Sequence, residues 1–138
     1  MQKMRHGVAL LLVIIIGGTL LALGVITARI VYNTLWTTRA LFDKERAYWL
    51  ASGGLELASA RIDKNHAWFT DMPPPSGNIK ALLAGSAIGE RFVLGRGEVK
   101  VVREREGGRV YSIGCFSQAR AFICGELIDG NLENRKEL

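Results

Sequence analysis

The spacing of hydrophobic and polar positions changes along this chain, and each change marks a different element. From Val8 to Ala28 there is no charged residue, and apolar side chains fill most positions, as in Val8-Ala-Leu-Leu-Leu-Val-Ile-Ile-Ile16. The run is about 21 residues, roughly 31 Å as an α-helix and enough to cross a hydrocarbon core. A short basic leader, Met1-Gln-Lys-Met-Arg-His-Gly7, precedes it. A secretory signal peptide would have a shorter apolar region and then a small-residue cleavage site. Here Thr27-Ala28-Arg29 leads directly into more helix-like sequence. The segment 8–28 is therefore expected to stay as a membrane anchor.

Helical periodicity resumes over 29–64. Leu41, Tyr48, Leu55 and Ile62 recur every seven residues, with Ala51 and Ala58 in the intervening turns. Asp43, Glu45, Glu56 and Asp63 fall mostly off that stripe, as in an amphipathic helix. No proline interrupts Val8 to Asp63, so one long helix is predicted, lipid-embedded in its first half and core-facing in its second. Within lipid, Gly17, Gly18 and Gly24 are either simply tolerated or admit close approach of another helix.

Residues 65–90 break the pattern. Pro73-Pro74-Pro75-Ser76-Gly77 forbids a regular helix or central strand, so a loop is expected there, with a short helical turn around Ile79–Ala84. From Arg91 the period becomes two: Val99 and Val101, then Val110 and Ser112, then Ala121, Ile123 and Leu127 alternate with outward positions. Gly107-Gly108 reads as a hairpin turn that pairs Glu106 with Arg109 and Val99 with Phe116. One sheet face would then carry Val99, Val101, Val110 and Phe116 toward the helix stripe. Residues 91–128 are expected to form the sheet and 129–138 a C-terminal tail. The predicted fold class is α+β, a long N-terminal helix packed on a small antiparallel sheet.

The two cysteines, Cys115 and Cys124, flank the second turn, around Ser117–Arg120. A two-residue turn at Ala119-Arg120 would set them directly opposite, where a cross-strand bridge is sterically possible. A one-residue register change would put them on opposite faces. A disulfide in an oxidising compartment and two unpaired thiols both remain open. Their spacing forms no CxxC redox pair and no four-ligand zinc set.

Charge narrows the function classes. The formal net charge is +5, of which Lys3 and Arg5 belong to the leader, leaving +3 without it. That is too little to diagnose a nucleic-acid binder, and Arg103-Glu104-Arg105-Glu106 reads as a solvated strand face. His6 is in the leader and His66 stands alone beside Asn65 and Trp68. Gly95-Arg-Gly97 lacks the rest of a nucleotide fingerprint. Tyr32 and Trp36 follow the anchor as interface aromatics do. No catalytic, cofactor-binding or metal site is expected, nor a small-molecule substrate or nucleic-acid partner.

The leader ending in Gly7, the apolar helix immediately after it, the amphipathic continuation and the sheet resemble the type IV pilin-like proteins, the pilins and pseudopilins. Arg5-His-Gly-Val-Ala-Leu-Leu-Leu-Val13 resembles the openings of PilX-type minor pilins and of the K-type minor pseudopilin of type II secretion. Ala47-Tyr-Trp-Leu-Ala-Ser-Gly-Gly-Leu-Glu-Leu-Ala58 is similar to a stretch of the PilX group. It keeps Ala47, Ala51, Gly54, Leu55 and Ala58 but has Ser52-Gly53 in place of Glu-Ala. The length fits the PilX-type match better, since K-type proteins are generally much larger.

The resemblance implies cleavage by a prepilin peptidase between Gly7 and Val8, and N-methylation of Val8. It also implies a bacterial inner-membrane precursor with a cytoplasmic amino terminus and a periplasmic domain. Its partners would be other pilin or pseudopilin subunits, the peptidase and an assembly platform. The Lys/Arg count does not choose this orientation, because Arg29, Arg39, Lys44 and Arg46 follow the anchor; the form of the leader does. The fifth mature position, a glutamate in most major pilins, is Leu12 here. That departure points to a minor subunit at the filament tip or at initiation. The rival expectation is a single-pass inner-membrane accessory protein with an uncleaved signal anchor.

Overall fold

The structure, a computed structural model, describes residues 2–68, 77–85, 89–105, 108–128 and 131–138, with side chains from Gly7 onward. The proline run 73–75 and the turn residues Glu106 and Gly107 lie outside the described residues. Two units make up the chain, Met1–Arg39 and Ala40–Leu138. Helix α1, Gln2–Lys64, contributes to both. It begins within the segment expected as a leader rather than at Val8.

In the first unit every described side chain of α1 is exposed, and the helix is long and apolar enough to cross a membrane. Its threonine hydroxyls are satisfied locally. Thr19 Oγ1 donates to the Ile16 carbonyl at 2.8 Å, and Thr27 Oγ1 lies 2.9 and 3.0 Å from the Gly24 and Leu23 carbonyls. Returned to the helix's own backbone, these groups ask nothing of a surrounding hydrocarbon.

In the second unit α1 lies on a five-stranded antiparallel sheet, β1 (Glu90–Leu94), β2 (Gly97–Arg103), β3 (Arg109–Phe116), β4 (Ala119–Ile128) and β5 (Asn131–Glu137), in sequential order. The segment expected as a tail thus supplies the fifth strand. Asn134, with φ 52°, accommodates an irregularity where β5 passes Cys124 and Glu126.

The buried stripe of α1 is Ala47, Ala51, Gly54, Leu55, Ala58 and Ile62. Leu41 and Tyr48, expected on that stripe, are 63% and 41% exposed. Close approach explains the change at Tyr48. A β-carbon on Gly54 would collide with Val99 and Ser112, and one on Gly114 would collide with the backbone of Ala47 and Ala51. Helix and sheet meet nearly backbone to backbone, so small residues mark the contact and the larger Tyr48 turns aside. Val99, Val101, Val110, Ala121, Ile123 and Leu132 complete this core, with Phe116 and Leu127 packed at its margin.

The faces match the sequence expectation, but the registers do not. Val99 pairs with Gly114 rather than Phe116, because Glu104 N–H bonds the Arg109 carbonyl and the loop is longer than two residues. A two-residue slip keeps every side chain on its original face. The next turn is Ser117-Gln118, with Phe116 opposite Ala119 and Ser117 in the left-handed region at φ 55°.

The other sheet face is also covered. Helix α2, Ile79–Ala84, is capped by the Asn78 side chain, which accepts from the Ala81 amide. Its Leu83 packs on Val102, Tyr111 and Ile113, with Phe122, Cys115 and Cys124 around them. The helical turn anticipated at Ile79–Ala84 is therefore the lid of a second, smaller core.

Candidate functional site

The first candidate is the expected processing junction between Gly7 and Val8. Gly7 and Val8 lie on continuous helix, and Val8 is 66% exposed. A β-carbon on Gly7 would meet nothing within 4 Å. Any demand for glycine there must come from a partner and not from this fold. Leu12 is one turn beyond Val8, so the two share a helix face, and Leu12 is 53% exposed. The first acid of the chain is Asp43, so no carboxylate accompanies this end.

Large apolar side chains remain exposed all along this stretch, among them Ile14, Leu21, Ile26 and Leu35. Near its end Gly24, Thr27, Ala28, Val31, Tyr32 and Leu35 line a shallow groove. Tyr32 and Trp36 stack edge to face with centroids 6.1 Å apart. Surface that is apolar on every side belongs in lipid or against other apolar helices.

In the second unit the two cysteines are free. Cys115 faces Arg120 and Cys124 faces Tyr111. Both thiols lie on the α2-covered face, four positions apart along the ladder, or about 13 Å, against a limit of about 7 Å between α-carbons for a bridge. Of the two alternatives left open, a bridge or unpaired thiols, this arrangement has the unpaired thiols: the turn at Ser117-Gln118 shifts the register away from the one that would align them. Burial pushes both thiols above the usual thiol range, partly offset by Arg120 beside Cys115 and by Arg109 beside Cys124.

Tyr111 donates to the buried Glu104 carboxylate at 2.6 Å, and burial followed by that bond raises the phenol's pKa. Arg103 donates to the His66 and Trp68 carbonyls, and Trp68 Nε1 donates to Glu90 at 3.3 Å. This ties the end of α1 to β1 and β2. His66 itself is exposed. Among the described residues no three His, Cys, Asp or Glu side chains cluster as metal ligands would.

One arrangement was not anticipated. On the α2 side, Arg91, Lys100 and Arg120 converge with Glu98 beside Cys115. The signal was present in the alternation, since Lys100 must point away from the face of Val99 and Val101. Only the register could bring the strands' cations together.

Comparison with protein-family models, with curated proteins and with solved structures returns no match.

Proposed function

We propose that this protein is a minor pilin or pseudopilin, a structural subunit of a type IV pilus-like or type II secretion filament, held in the bacterial inner membrane before assembly. The observation that carries the reading is the junction: a basic leader ends at Gly7, and an uncharged, exposed helical segment starts at Val8. Prepilin peptidase would remove Met1–Gly7 at the cytoplasmic face, and Val8 would be N-methylated. Assembly would then exchange lipid contacts of residues 8–28 for packing against equivalent helices.

Leu12 sets the subunit's place. A carboxylate among apolar helices is costly unless paired, and its partner in such filaments would be a neighbour's amino terminus. Without it, this subunit makes a poor repeating unit and suits a tip or initiating position. Labelled protein should mark filament ends; uniform decoration along sheared filaments would defeat that placement.

The processing step is tested by intact mass, with and without a prepilin peptidase. Loss of residues 1–7 plus a methyl group supports the filament subunit. The full mass in both strains supports the second reading, an accessory protein on an uncleaved anchor. That reading is favoured by α1 running unbroken from Gln2 through Gly7.

A further inference from the structure

We propose that the α2-covered face of the sheet holds a binding site for a phosphate group, formed by Arg91, Lys100 and Arg120 around Cys115. The sheet register builds it. Glu98 on β2, Cys115 on β3 and Arg120 on β4 are successive cross-strand partners. Arg91 on β1 lies directly opposite Lys100 on β2, in the adjoining row. Period-two alternation sends all five side chains to the same face. Leu83, near the C-terminal end of α2, closes one side of a cavity of about 130 Å³.

Charge and donor geometry indicate what the cavity takes. The cations meet only the Glu98 carboxylate within the lining, and Glu98 is engaged by Arg91 at 3.5 Å. No described ion pair involves Arg120. Lys100 is nine-tenths buried and donates to the Leu83 carbonyl at 3.2 Å. An ammonium has three donors, so two remain for a ligand. Burial, then the neighbouring Arg91, depresses the Lys100 pKa, a penalty that a bound anion would relieve. Tying α2 to the sheet accounts for Lys100 but not for the convergence of Arg91 and Arg120 on the same space. Two guanidinium forks and an ammonium, with two positive charges in excess, match the oxygens and charge of a phosphate dianion better than a single carboxylate.

The phosphate could be free or carried on a lipid, and one experiment separates them. The full chain is placed in phosphatidylcholine nanodiscs, and alkylation of each cysteine by iodoacetamide is followed by peptide mass spectrometry, with Cys124 as the internal control. Inorganic phosphate, against chloride at equal ionic strength, should slow Cys115 saturably, by roughly tenfold at about ten times the dissociation constant. Phosphatidic acid in the disc, with no free phosphate, should do so if the natural source is lipid. Arg120→Gln, at an exposed position, should abolish the protection and leave the melting temperature unchanged. Protection in neither arm, equal slowing of both thiols, or full protection in the Arg120→Gln variant would overturn the proposal.

Discussion

Gly114 on β3 lies directly against the backbone of Ala47 on α1, with no space between them for a β-carbon. This contact sets how closely helix and sheet approach. It also explains why alanine and glycine occupy that stretch of α1.

Gly114→Ala should therefore destabilise the second unit by about 1–3 kcal/mol through overpacking against rigid backbone. Gly53→Ala is the control, since a β-carbon there meets nothing within 4 Å. It should stabilise α1 by up to about 1 kcal/mol through helix propensity. Denaturant melts of the two variants in one detergent should shift in opposite directions.

Ser112 presents a different case. Its Oγ is buried without a hydrogen-bond partner, so its desolvation is uncompensated. Ser112→Ala should be neutral or raise stability by up to about 1 kcal/mol, visible as an unchanged or higher midpoint. A clear loss would mean that the hydroxyl has a bonding role.

Tyr111 and Glu104 form a buried donor–acceptor pair. Tyr111→Phe keeps the ring but removes the phenol donor from a buried carboxylate, at a cost of about 1–3 kcal/mol. The double variant with Glu104→Gln should recover part of the loss, because a neutral amide is cheaper to leave buried than a charge. A thermodynamic cycle measures the coupling.

The raised thiols and phenol give a pH dependence. Each is protonated in both states at neutral pH, and the unfolded chain ionises first as pH rises. Their contribution to stability is fully present below about pH 8.5, the ordinary thiol value. It declines above that through the raised folded values. The depressed Lys100 acts in the opposite sense, and Tyr111→Phe should flatten the high-pH loss. Intact mass under mild oxidant should show two thiols and no bridge.

Gly7 tests the processing reading separately from folding. Gly7→Val should leave helicity and melting temperature unchanged, because the site is open, while abolishing removal of Met1–Gly7 in a strain with prepilin peptidase. Continued cleavage of the variant would show that the junction is not read as proposed.

Much of this molecule could be read from its residues. The apolar run after Gly7, the absence of proline to Lys64, the short helix at Ile79–Ala84 and the alternation from Arg91 are local properties of the side chains and their periodicity. So does the face that each strand residue presents, which survived a two-residue slip in the β2–β3 pairing. Register did not follow, because it depends on where a turn closes: Ser117-Gln118 closed one and kept Cys115 from Cys124. The fifth strand was missed because Asn131–Glu137 buries only Leu132 and so carries almost no alternation. Packing between helix and sheet was decided in three dimensions as well. A seven-residue repeat nominates Tyr48, yet where helix and sheet approach backbone to backbone the contact is made by Ala47, Ala51 and Gly54, with Leu55 and Ile62 buried beyond it. The cationic cavity around Cys115 belongs to the same category, since Arg91, Lys100 and Arg120 become neighbours only when three hairpin registers are fixed together.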